Sequence, residues 1–317
     1  MKRFTSTIAI GANLNRPLLQ YEKRNHLLQK ERSPDPPWFQ LSVIKMNSTF
    51  LECPERYFLD KGIVSLGALI AGGMFSFVGL GAVFMTTMRW STYTPDQQSE
   101  WFFATLFACT IAVINAWINI YFLKKEMYRY THYPMRFNRK TRKVYCFRDD
   151  GTIMTEDWDK LFFCTTPMRR SWGVQFHRLA EDGDTVLETF ELPHIAEKEN
   201  DLLTSQWEFV RRFMEEGPKE LADQVDVVMD IADRRETFWN GFQRLMANFV
   251  GPVATAIFSP LGILFAISRR IAMLSCIVPR WPAEIEAECA IEPNDPYIRD
   301  RDHLAPFGSV PVPKFLK

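Results

Sequence analysis

The sequence is short of the motifs that usually announce chemistry. Its six cysteines (Cys53, Cys109, Cys146, Cys164, Cys276, Cys289) lie far apart, form no CxxC pair and have no histidine at ligand spacing. Neither a zinc site nor a disulfide framework is therefore expected, and reduced thiols of a cytosolic setting are the simpler reading. There is no Walker lysine loop, no GxGxxG after a strand, no HExxH and no GxSxG, so phosphate, dinucleotide, zinc and serine-nucleophile sites are not expected. Charge of one sign is not in excess either, with 38 Lys+Arg against 38 Asp+Glu. Net charge therefore carries no polyanion-binding signature, and no nucleic-acid partner is expected. The opening MKRFTST lacks the apolar core and small-residue cleavage site of a signal peptide, so no cleavage is expected.

What the chain does have is uneven charge. Gly62 to Thr87 runs 26 residues without a charge, and Phe102 to Leu123 is a second uncharged run, framed by Trp101, Trp117 and Tyr121. At about 1.5 Å per helical residue both suffice to cross a hydrocarbon core of roughly 30 Å. Residues four apart share a helix face, so Ala68, Gly72 and Ser76 on the first run and Ala104, Ala108, Ala112 and Ala116 on the second form small-residue stripes for close helix packing. Such a stripe serves equally to pair the two helices or to build a homo-oligomer.

Between Lys124 and Arg148 stand nine bases (Lys124, Lys125, Arg129, Arg136, Arg139, Lys140, Arg142, Lys143, Arg148) and one acid, Glu126, whereas the connector Met88 to Glu100 has one base, Arg89. Basic flanks stay on the cytoplasmic side, so both termini and the main domain are expected to face the cytosol. Residues 1–61 are expected to be a cytosolic arm, stiffened at Ser33-Pro34-Asp35-Pro36-Pro37. Asn47-Ser48-Thr49 fits a glycosylation acceptor but is silent in the cytosol.

After the hairpin of residues 62–123, short strand-like runs follow one another: Met135 to Asn138, Lys143 to Arg148, Thr152 to Trp158, Leu161 to Thr165, Trp172 to Leu179 and Val186 to Leu192. Asp149-Asp150-Gly151 and Glu181-Asp182-Gly183-Asp184 supply the turns. A helix from about Ala196 to Glu216 carries Leu203, Trp207, Val210 and Met214 on one face and stops at Gly217-Pro218. The expected fold class is thus an α+β membrane protein, a transmembrane helical hairpin joined to an antiparallel strand domain. That domain, over residues 131–217, resembles a pleckstrin-homology-like barrel capped by its last helix. Residues 218–248 are expected to be helical, with Leu221, Val225, Val228 and Ile231 apolar. Residues 249–278 form an apolar segment interrupted by Pro252 and Pro260 and followed by Arg269 and Arg270. Those arginines resist transfer, so a re-entrant or interfacial path is preferred to a third crossing. Residues 279–317, rich in proline and acid, read as an extended strap or a disordered tail.

Two charged groups stand out as contact candidates. Glu156, Asp157 and Asp159, together with the turn residues Glu181, Asp182 and Asp184, are candidate contacts for a protein partner. Arg139, Lys140, Arg142 and Lys143 sit where pleckstrin-homology-like domains often hold anionic head groups, and they compete with plain attraction of juxtamembrane bases to anionic lipid at about 1 kcal/mol each. His194 and Glu197 stand three apart, but one such pair lacks further ligands and capping or solvation is the expectation. No catalytic residue, cofactor or metal is expected.

The hairpin followed by YPMRFNRKTRKVYCFRDDG, GVQFHRLAEDGDTVLETFELP, QWEFVRRFMEEGP and IVPRWPAEIEAECA resembles a family of proteobacterial two-span membrane proteins of unknown function. The resemblance runs from about Asn47 to Ala290. Members are often encoded beside polymorphic-toxin or type VI secretion effectors, which implies an immunity or accessory protein whose partners are membrane lipid and a toxin effector or secretion component. A membrane scaffold and a lipid-sensing module are the alternatives.

Overall fold

The structure, a computed structural model, describes residues 14–167, 171–196, 202–246 and 252–304. In chain order these form β1 (Arg16–Pro17), α1 (Gln20–Arg24), β2 (His26–Leu27), β3 (Lys45–Met46), β4 (Phe50–Pro54), α2 (Tyr57–Asp60), α3 (Ile63–Arg89), α4 (Pro95–Glu126), β5 (Pro134–Asn138), β6 (Lys143–Phe147), β7 (Ile153–Asp157), β8 (Phe162–Pro167), β9 (Trp172–Leu179), β10 (Thr185–Ala196), α5 (Ser205–Glu215), α6 (Phe238–Met246), α7 (Pro252–Leu274) and α8 (Ala283–Glu288). They divide into a strand unit (residues 1–60, 130–235 and 278–317) and a helical unit (61–129 and 236–277).

In the strand unit, two antiparallel sheets are ordered β1-β10-β9-β8-β2 and β3-β4-β5-β6-β7. The two sheets are separate, and no closed barrel forms among the described residues. Alternation sets the faces. Leu51 and Cys53 of β4, Met135 and Phe137 of β5 and Val144 and Cys146 of β6 share one core with Phe163, Val174, Phe176 and Phe190 of the other sheet. Trp207, Val210, Phe213 and Met214 of α5 complete it. The six strands expected after the hairpin are all present, and Gly151 and Gly183 take the positive φ of their turns, +84° and +69°.

Residues 14–60 differ from the expected arm. They supply β1 to β4, with Arg16 opposite Val186, His26 opposite Cys164 and Leu51 opposite Phe137. Strands of two residues leave no period in the sequence, so only their partners define them. The proline stretch is tied down as well: the Thr204 amide donates to Asp35 Oδ2 at 2.9 Å and the Ser33 amide to Glu208 Oε2 at 2.9 Å. Asn47 is buried and its Oδ1 accepts from the amides of Thr49 and Phe50, so the glycosylation pattern is a buried turn.

Residues 218–235 also differ from the expected helix. Beyond a short 3₁₀ turn at Ala222–Gln224 they run as turns and extended chain up to α6. Leu221, Val225, Val228 and Ile231 are buried, but the Met229 amide donates to Val43 O at 2.7 Å, a partner no helix offers. The helix expected from Ala196 begins at Ser205, and residues 197–201 lie outside the described residues. Residues 279–304 of the expected tail are described and pack on the strand unit, where Ile285 and Cys289 cover Phe50 and Tyr145 on the outer face of the second sheet; residues 305–317 lie outside the described residues.

Among the described residues of the helical unit, three helices are long and apolar enough to cross a membrane, Ile63–Thr92, Pro95–Lys124 and Val253–Leu274. Helix α7 runs unbroken through Pro260. Proline removes the N–H that would bond the carbonyl of Ala256, and the Ser259 hydroxyl donates to that carbonyl instead, at 3.0 Å.

Candidate functional site

The two charged groups singled out in the sequence meet each other in the strand unit. Arg142, in the β5–β6 turn, pairs with Asp159 at 2.6 Å and with Glu215 of α5 at 2.8 Å. Glu215 also takes Lys30 at 2.8 Å and the Trp158 indole N–H at 2.7 Å. The Arg142 guanidinium holds the Asp159 carboxyl below the usual carboxylate range. Lys143 pairs with Glu288 at 2.9 Å, Lys140 pairs with Glu292, and Arg139 lies against Gly217. Glu156 pairs with Arg178 at 3.2 Å, Asp157 with Lys160 at 2.8 Å and Asp184 with Lys23 at 2.6 Å. The hydroxyl of Thr185 and the amides of Thr185 and Asp184 hold the Asp182 carboxyl down to about 2. Glu181 and Asp182 are the exposed tip of that turn. Three of the four bases are thus matched by acids, and exposed pairs of this kind are worth only about 0–1 kcal/mol each. A charged partner can exchange them at small cost.

Beside the N-terminus of α5 lies an open cavity of about 540 Å³ whose wall includes His26, Leu28, Arg32, Asp35, Thr204 and Trp207. Its size suits a small ligand. Its polar groups already serve the fold, since Thr204 and Asp35 bond each other and Arg32 pairs with Glu216 at 2.6 Å.

Sequence reading missed one cysteine–histidine approach. Cys164 Sγ lies 3.5 Å from His177 Nε2, which is 3.6 Å from Glu22 Oε1, while His177 Nδ1 meets Thr189 Oγ1 at 2.9 Å. Burial pushes the thiol up to about 12 and the imidazole down to about 4, so both are neutral near pH 7. A nucleophilic dyad requires the opposite shifts. Antiparallel register brought the pair together, and no local motif records it. Desolvation also pushes the half-buried His194 imidazole down to about 4, and Glu197 lies outside the described residues. Among the described residues no group of three or more His, Cys, Asp or Glu is placed to hold a metal.

Within the helical unit, the α3–α4 seam is turned from the expected stripes. Gly72 faces Asn119, Gly79 faces Ala112 and Ala108, and Thr86 Oγ1 meets Thr105 Oγ1 at 2.6 Å. Ala68 is buried, but Ser76, Ala104 and Ala116 are exposed. A spacing of exactly four residues drifts about 40° per step around a helix of 3.6 residues per turn, so only the middle of a four-alanine stripe can face one partner. The seam follows alternating steps of three and four instead.

At one end of this unit sits a cluster of buried charge. Glu126 Oε2 accepts from the Ser65 amide at 2.7 Å, its Oε1 accepts from Gly62 N, and Lys61 Nζ donates to the Glu126 carbonyl at 3.3 Å. Arg269 pairs with Glu236 at 2.5 Å and donates to Lys61 O at 2.6 Å. Gly62 has φ +102°, and a Cβ there would lie 2.7 Å from Arg269 Cβ. Four buried charged side chains next to apolar helices are affordable only when mutually paired.

The sequence pattern of the family described as Family of unknown function (DUF6708) matches residues 112–293. The chain belongs to this family. The DUF6708 region holds β5 to β10 and α5 to α8, together with the end of α4. It does not contain β4, which pairs with β5, or β1, which pairs with β10. The strand unit of this DUF6708 member is therefore completed by residues ahead of the family match. No curated protein and no solved structure matches the chain.

Proposed function

We propose that this chain is a bacterial inner-membrane-anchored, non-enzymatic binding protein, an immunity or accessory protein for a secreted toxin effector of the type VI kind. The observation that carries the anchor is the outward surface of α3 and α4: Phe77 is 79 % exposed, Phe107 68 % and Trp117 72 %. Apolar side chains in such number, over lipid length, are stable against acyl chains and not against water. The start of α3 and the end of α4 meet at Glu126, so a two-span hairpin returns the chain to the side from which it came. The bases that follow Glu126 favour the cytoplasm as that side.

The strand unit is read as a divergent pleckstrin-homology-like body. Two three-strand meanders, β5-β6-β7 and β8-β9-β10, precede a helix whose apolar face joins the core. Its task is capture of a protein partner at Glu156, Asp157, Asp159, Glu181, Asp182 and Asp184, where the pairs of Glu156, Asp157, Asp159 and Asp184 exchange for a partner's bases beside the exposed Glu181 and Asp182. Anchoring raises its local concentration where a toxin enters. The toxin itself is suggested by the family resemblance.

Co-expression with neighbouring toxin genes tests this. Restored growth is expected, and restored growth that disappears when Asp157 and Glu181 are changed to Lys places the contact. No rescue by a chain that is correctly membrane-inserted turns the reading toward a scaffold or adaptor.

A further inference from the structure

The helical unit holds four chain segments at one level. The Glu126 carboxylate binds Gly62 and Ser65, which joins the end of α4 to the start of α3. The Ser268 hydroxyl donates to Gly62 O at 3.1 Å and Arg269 to Lys61 O at 2.6 Å, which brings the late part of α7 to the same place. Glu236, just ahead of α6, pairs with Arg269 at 2.5 Å, and its carbonyl accepts from Arg270 at 2.7 Å.

From this level α6 and α7 run side by side in opposite directions. A Cβ on Gly241 would lie 3.3 Å from Arg269 Cδ, and one on Gly262 would lie 2.5 Å from Met246 Cε and 3.2 Å from Phe242. The nine residues of α6 reach only about 14 Å, and the part of α7 between Pro252 and Arg269 only about 26 Å. Neither covers a hydrocarbon core of roughly 30 Å before the chain is back beside Glu236. The faces differ as well. Phe265, Ala266, Arg269, Ala272 and Met273 are buried, while Val253 (70 % exposed), Ile257 (67 %) and Trp239 of α6 (65 %) point outward.

We infer that α6 and α7 form a re-entrant hairpin that dips into the bilayer from the side of Glu126 and returns to it, with lipid acyl chains as the partner of its outward apolar face. The inference rests on the membrane reading above and deepens it. A third crossing would separate Glu236 from Arg269 by the whole membrane and leave two buried charges unpaired. With the pair made, the chain crosses an even number of times.

Cysteine labelling with a membrane-impermeant maleimide in intact cells and in opened membranes tests this on the full chain, against the parent background. Thr237→Cys and Ile277→Cys mark the two ends of the hairpin, Val253→Cys its lipid face and Ser91→Cys the α3–α4 connector. We expect Ser91→Cys to react in intact cells, Thr237→Cys and Ile277→Cys only in opened membranes, and Val253→Cys in neither. Reaction of either end in intact cells overturns the shared side, and reaction of Val253→Cys from either face overturns the lipid contact. All four positions are exposed, where substitutions usually cost within about 0.5 kcal/mol, and circular dichroism of each variant checks its fold. A chain that leaves the membrane without detergent, or Ser91→Cys silent in intact cells, refutes the anchor itself, which is a different result.

Discussion

The Glu126 carboxylate closes the first turn of α3 by accepting the Ser65 amide at 2.7 Å. It occupies the place of an N-cap side chain, but it comes from the end of the next helix, 61 residues on. One side chain thereby satisfies orphan amides and ties two helix ends together. Glu126→Ala should lower the stability of the detergent-solubilised chain by about 1–3 kcal/mol. Thermal melting reads this, and a melting temperature equal to wild type would refute the cap.

Gly62 is held at φ +102° against Arg269. Gly62→Ala adds a Cβ where backbone lies under 3 Å away and also strains the left-handed turn, at a cost of at least about 1–3 kcal/mol. Melting with intrinsic tryptophan fluorescence should show the loss. Gly183→Ala, whose Cβ would meet nothing within 4 Å, should cost less.

Arg136 is 1 % exposed, lies 4.3 Å from the Phe50 ring and 4.8 Å from the Trp281 ring, and pairs with Glu52 at 2.7 Å. Arg136→Met leaves Glu52 buried and unpaired, a loss of about 3–5 kcal/mol. The double change Arg136→Met with Glu52→Met should recover most of it in denaturant titrations. A double variant as weak as the single one would sink the ion-pair account.

Burial moves the His177 imidazole from 6.5 to about 4. Between these values the unfolded chain binds a proton that the folded chain refuses, so stability is full above about pH 6.5 and falls as pH drops toward 4. The loss from this group alone reaches about 3 kcal/mol by pH 4. His177→Gln should flatten the dependence of melting temperature on pH within that window.

Cys164 is buried, with its thiol pushed up to about 12, and Cys53 and Cys146 are buried and raised as well. None should react with maleimide at pH 7 in the folded chain, and all should react in denaturant. Fast labelling of Cys164 in the native protein would reopen the case for a working dyad with His177.

What local physics can write, the sequence alone already determined. Two charge-free runs of lipid length dictate α3 and α4, and alternation between turn residues such as Asp150-Gly151 and Asp182-Gly183 dictates β5 to β10 in number and order, though β10 runs four residues past the expected Leu192. The apolar stripe of Trp207, Val210 and Met214 dictates α5. Everything decided by distant partners needed the tertiary structure. Residues 16–17 and 26–27 are strands only because β10 and β8 offer them hydrogen bonds, and residues 225–229 leave the helical path, with the Met229 amide bonded to the Val43 carbonyl. The charges fall under the same rule: sequence lists Arg136, Glu126 and Arg269 as three more bases and acids, and only burial beside Glu52, Ser65 and Glu236 makes them structural. A charge left in water is worth little, whereas one removed from water must find its counterpart, wherever the chain carries it.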